Sequence, residues 1–179
     1  MQDDGQGRFA ASVLPHLDAA YNLARWLVRD AHDAQDVVQD ALVRALRHFD
    51  GFRGGDPRPW LLAIVRNAAF AWLGSRRAGE VDFSEHEHEL DAALALSAPP
   101  GDPESLAIRR AERQEIDAAI AALPIAFREA VVLRELEDLS YRDIARITDV
   151  PIGTVMSRLS RARHLLAAAL RPEATRNLA

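Results

Sequence analysis

A chain of 179 residues with 49 % hydrophobic residues and a net charge of −5 can build one domain or two small ones. It has no cysteine, which excludes disulfides, thiolate zinc sites and thiol redox sensing within the chain. No apolar run approaches the roughly 20 residues of a membrane span, and the opening MQDDGQGRF lacks the apolar core of a signal peptide, so a soluble, cytoplasmic protein is expected.

The first stretch with a repeating apolar face is 9–29, with Val13, Leu17, Ala20, Leu23, Ala24 and Leu27 at helical spacing. A second helix is expected from about Asp33 to Phe49, burying Val37, Val38, Ala41, Leu42, Ala45 and Leu46. The glycine-rich DGFRGGD, 50–56, reads as a loop. Asp56 is a plausible cap for a third helix that opens on Pro57 and Pro59 and continues through WLLAIVRNAAFAWL to about Leu73. No strand-like alternation occurs in this half.

From 79 to 103 the texture becomes acidic, proline-containing and aperiodic, as expected of a flexible linker. The charge map agrees: residues 81–108 hold seven acids and no arginine, while the flanking parts are close to balanced. His86 and His88 form an H-x-H there, but no other ligands cluster with them, and no metal site or cofactor is expected. Asp102 and Pro103 then suit the opening of a helix to about Ala122, Leu123-Pro124 closes it, and another helix is expected over 127–137.

The segment LSYRDIARITDVPIGTVMSRLSRAR, 139–163, carries the clearest signal. Ser140 can cap a short helix with Asp143 answering three residues on, and Ile144, Ala145 and Ile147 give it an apolar face. Thr148, Asp149 and Val150 break the pattern, with Asp149 tolerant of left-handed geometry, and Pro151 suits the start of a new helix. In that helix Ile152, Val155, Leu159, Ala162 and Leu166 form one stripe. Thr154, Met156, Ser157, Arg158, Ser160, Arg161 and Arg163 are left to point outward, as hydroxyls and guanidiniums suited to phosphates and base edges. Residues 151–171 hold four arginines and no acid. This is the layout of a helix-turn-helix, whose second helix enters the DNA major groove.

Taken together, these motifs resemble the bacterial sigma-70 family, and within it the short extracytoplasmic-function sigma factors. The segment 33–73 resembles the family's region 2 and 123–163 its region 4, in the family's order. No counterpart of a receiver domain, region 1.1 or region 3 stands in the sequence, which fits the two-domain members. The resemblance implies an all-α protein of two small helical domains: region 2 over 1–78, the acidic linker over 79–102, region 4 over 103–171, and a tail over 172–179.

It also implies a mechanism. Such a factor binds core RNA polymerase, sets region 4 on the −35 element as duplex, and uses region 2 to melt and hold the −10 element as a single strand. Asp33, Asp36, Gln39, Asp40 and Arg44 match the surface that grips the polymerase clamp; the plainer reading is a solvated face with i, i+4 ion pairs. Phe52, Arg53, Arg58, Trp60, Arg66 and Asn67 are the stackers, cations and donors available at the −10 reader, with core packing the alternative for Phe52 and Trp60. Arg158 and Arg161 lead the −35 contacts, supported by Thr154, Ser157, Ser160 and Arg163, with Arg142 in reach of the backbone. Family members often carry an acid at the position of Arg142 and a lysine at that of Met156, which bears on base preference. An anti-sigma factor, often membrane-bound in the family, is the further implied partner. A stand-alone helix-turn-helix regulator is the alternative function. An enzyme is not expected, and neither is a small-molecule substrate, because no catalytic set stands at functional spacing.

Overall fold

The computed structural model describes residues 2–79 and 103–171, and these are helical with no strand among them. The expected linker with His86 and His88, the cap at Asp102 and the tail lie outside the described residues. The N-terminal half comprises α1 (Gln2–Val13), α2 (Leu17–Val28), α3 (Ala31–His48) and α4 (Pro57–Gly79). The single helix expected over 9–29 is divided by a 3-10 turn at Leu14–His16. Pro15 is the cause, since it has no N–H to donate and its ring collides with the carbonyl four residues earlier.

Between α2 and α3 the chain reverses at Arg29, in the left-handed region with φ 65°. Asp30 then caps α3 by accepting from the Asp33 amide at 2.9 Å, and this bond holds the Asp30 carboxyl below its usual range. The buried line of α3 runs through Ala34, Val37, Ala41 and Ala45 against α2 and α4. Leu46 was expected on that line but is exposed; at 3.6 residues per turn it lies round the helix from the line's centre. Asp56 caps α4 as expected, accepting from the Arg58 amide at 2.9 Å. Gly54 and Gly55, at φ 85° and 95°, make the preceding turn, a conformation that a Cβ would strain.

The C-terminal half comprises α5 (Pro103–Ala122), α6 (Ile125–Val131), α7 (Tyr141–Thr148) and α8 (Ile152–Ala169). The helix expected over 127–137 begins earlier, directly after Pro124, and widens into a π-helical stretch, Val132–Leu136. There the Glu137 amide donates to the Val132 carbonyl five residues back at 3.0 Å. Asp138, at φ 48°, and a 3.0 Å bond from the Leu139 amide to Leu133 O then end the helix in Schellman fashion.

The helix-turn-helix forms as expected. Ser140 Oγ accepts from the Asp143 amide at 3.1 Å and donates to Asp143 Oδ2 at 2.6 Å. Asp149 takes the left-handed turn position, φ 53° and ψ 49°. Val155, Leu159 and Ala162 bury the inner face of α8, while Ile152, at the stripe's edge, is 44 % exposed.

The two halves are docked, α4 on α7 and α2 on α6. Their buried apolar residues, among them Leu23, Leu27, Leu61 and Val65 in one half and Leu133, Ile144 and Leu159 in the other, form one continuous core.

Candidate nucleic-acid interface

Helix α8 presents its candidate residues unequally. Ser157, Ser160, Arg161 and Arg163 are exposed, as is Arg142 near the start of α7. Thr154 and Arg158 are half-buried, and Ser157 Oγ turns back to donate to Thr154 O at 3.0 Å. Arg163 Nη2 donates to Glu135 Oε1 at 2.7 Å, which raises the guanidinium's pKa further above its already high value. Arg158 lies near enough to Glu129 for its charge to favour that carboxylate. Arg161 is therefore the side chain best placed to meet base edges or phosphates.

On α3, Asp40 pairs with Arg44 at 2.7 Å across one helical turn, and Asp36 stands 3.9 Å from His32. Gln39 is exposed. Asp33 differs, because Arg76 of α4 reaches it at 2.6 Å and ties the two helices together. Asp36, Gln39, Asp40 and Arg44 thus form the accessible part of the face.

The loop and α4 divide similarly. Phe52 and Trp60 pack on each other with ring centroids 5.0 Å apart, and Phe49 joins them, stacked on Phe52 at 6.0 Å and meeting Phe9 edge-on at 5.3 Å. Each ring keeps partial exposure, so the cluster braces the loop while leaving ring surface at its edge. Arg53 and Asn67 are exposed.

Arg58 and Arg66 are engaged by the other half. Arg58 Nη2 donates to Glu137 Oε2, and Asn22 Nδ2 donates to the other oxygen of the same carboxylate at 2.6 Å. Arg66 Nε donates to Glu129 Oε1, with the guanidinium also 4.5 Å from the centre of the Phe70 ring. Glu129 is 1 % exposed; burial raises its carboxyl pKa, opposed by the hydrogen bond and charge of Arg66 and by the charge of Arg158.

A third tie runs the other way. Arg128 Nη1 donates to Trp26 O at 3.0 Å and Nη2 to Leu123 O at 2.9 Å. It thereby answers a carbonyl in the last turn of α2, where a cation is favourable. Burial and the neighbouring Arg29 charge push the Arg128 pKa down to about 10. The sequence reading missed Asn22, Arg128, Glu129 and Glu137. Glu129 did leave a signal, since it falls on the inner stripe between Ile125 and Val132, where a charge needs a partner.

Residues 13–78 match the family described as Sigma-70 region 2, and residues 113–166 match Sigma-70, region 4. The chain belongs to the sigma-70 family. RNA polymerase sigma-H factor of Pseudomonas aeruginosa is 34 % identical over 92 % of this chain and 86 % of its own length. ECF RNA polymerase sigma-E factor of Escherichia coli K12 is 39 % identical over 75 % of this chain and 72 % of its own. Among solved structures, the sigma factor RpoE in complex with the anti-sigma factor NepR from Bartonella quintana matches with a TM-score of 0.71 at 29 % identity, covering 93 % of this chain and 98 % of that one. CnrH in complex with the cytosolic domain of CnrY gives 0.62 at 26 %, covering 92 % and 88 %. The protein is an extracytoplasmic-function type sigma factor, a transcription initiation factor that directs core RNA polymerase to promoters.

Proposed function

We propose that this sigma factor holds its promoters with two separate grips. Helix α8 enters the duplex major groove at the −35 element, with Arg161 reading base edges and Arg142, Thr154, Ser157, Arg158, Ser160 and Arg163 completing the contact. The loop before α4 and the face of α4 hold the −10 strand after melting. There Arg53 and Asn67 contact the strand first, the edge of the Phe52 and Trp60 cluster offers a stacking platform, and Arg58 and Arg66 serve the backbone. The α3 face with Asp36, Gln39, Asp40 and Arg44, anchored by Asp33, docks on core polymerase, where carboxylates give steering and register.

The domain limits are 1–78 and 103–171, joined by 79–102. The factor performs no catalysis of its own, works in the cytoplasm, and is held inactive by an anti-sigma factor until a stress or envelope signal arrives. Relatives solved in complex with the anti-sigma factor NepR and with the cytosolic domain of CnrY support the part of this reading that concerns an inhibitory partner. The observation that carries it is the pairing of a capped helix-turn-helix, arginine outward, with a region 2 unit in one chain.

Purified protein, core polymerase and a genomic promoter library make the test. Promoter-specific transcripts are expected only when chain and core are combined. Tight specific binding of duplex by the chain alone, with no transcript from any combination, would instead identify a stand-alone regulator. Charge reversal at Asp36 and Asp40 should weaken capture of core polymerase before it changes promoter choice.

A further inference from the structure

Two of the three cations assigned to the −10 strand are already occupied inside the chain. Arg58 and Arg66 belong to the N-terminal half, and their partners Glu137 and Glu129 stand 79 and 63 residues away in the C-terminal half. A guanidinium offers the same N–H fork to a carboxylate as to a phosphate. Resting on the −10 assignment above, we propose that Glu129 and Glu137 form an internal mask, occupying in the free chain the two guanidiniums that later serve the DNA backbone.

The local structure supports a mask over a simple core contact. The π-helical stretch Val132–Leu136 ends at Glu137 and leaves that residue buried; both of its carboxylate oxygens are taken by N-terminal residues, Arg58 and Asn22. Such widened turns occur often at functional sites. Glu129 is less completely served, because its Oε2 has no hydrogen-bond partner among the described residues. A buried ion pair left partly unsatisfied adds little net stability, so it yields readily to a partner that serves both groups better. The mask is also selective: Arg53, Arg142 and Arg161 remain exposed.

The test uses the full chain, whose lack of cysteine allows spin labels at Ala11→Cys and Ala167→Cys, both exposed positions. One readout is the distance between labels; the other is affinity for a fluorescein-labelled single-stranded DNA of mixed sequence. The free chain should show one narrow distance distribution. Glu129→Gln with Glu137→Gln should lengthen and broaden it and raise oligonucleotide affinity about tenfold, as expected when a competent state rises from a minor to a major population. Adding Arg58→Ala and Arg66→Ala should abolish that gain. An unchanged distance, or opening without a gain in affinity, overturns the mask.

If the double Gln variant loses helicity, the exchange Arg66→Glu with Glu129→Arg decides: the narrow distance of the free chain should persist, and its loss in a folded protein overturns the proposal. The −10 assignment has its own readout in the holoenzyme. If Arg58→Ala and Arg66→Ala leave open-complex formation intact, that assignment fails. If they abolish it while the Gln variant binds oligonucleotide like wild type, only the mask fails.

Discussion

The two faces proposed to hold DNA differ in how much of their charge is already spoken for. On α8 the leading cation, Arg161, stands in solvent, and the neighbouring Arg163 has only a surface pair with Glu135. On α4 both cations are held by acids of the other half, one of them 1 % exposed. An exposed arginine keeps its hydration until DNA displaces it, whereas Arg58 and Arg66 would have to exchange a carboxylate of the chain for the DNA. On this reading the proposed duplex grip is presented in the resting chain, and two cations of the proposed single-strand grip are covered.

The same substitution should therefore have different effects on the two faces. Arg66→Ala leaves the Glu129 carboxylate buried and unpaired, and should cost the docked chain about 3 kcal/mol, seen as an earlier urea transition. Arg161→Ala should change stability by no more than about 0.5 kcal/mol, yet weaken holoenzyme binding to the promoter by about 1–3 kcal/mol. Equal stability effects would erase the contrast. Ser140→Ala removes the cap of α7 and should cost about 1 kcal/mol, with Asp143 left as an uncapped acid in the first turn.

The smallest expected effect is on pH dependence. Glu129 faces Arg66 of α4 and Arg158 of α8, but burial still raises its folded-state pKa above the ordinary 4.5. A raised folded pKa means that its stabilising contribution is full below the ordinary value and lost as pH rises through the raised one. Glu129→Gln should remove that slope, so the stability of the variant relative to wild type should improve as pH rises through this window. Parallel denaturation profiles for the two proteins would show that Glu129 is not the source.

What could be read from the sequence followed the range of the interactions. The helix-turn-helix was legible because its determinants are local: a cap at Ser140, a left-handed Asp149, a proline at 151 and an apolar stripe from Val155 onward. The cap at Asp56 and the all-α class were legible for the same reason. The break at Pro15 was also local, and the apolar periodicity running through 9–29 hid it. Docking of the halves was invisible, since the partners of Glu129, Glu137 and Arg128 in the N-terminal half lie 63 to 115 residues away. No local pattern encodes such pairs. Only the misfit of a charge on the inner face of α6 hinted that one existed.

The central claim is that α8 and the α4 face serve different parts of one promoter. It is tested most directly by holoenzymes carrying Arg161→Ala or Asn67→Ala, probed on one promoter by nuclease protection of the duplex and permanganate reactivity of unpaired thymines. Arg161→Ala should lose upstream protection at limiting concentration while bound complexes still melt; Asn67→Ala should keep upstream protection and lose permanganate reactivity. If both variants lose the two signals together, or if Asn67→Ala melts the promoter like wild type, the division of labour between the two faces is wrong.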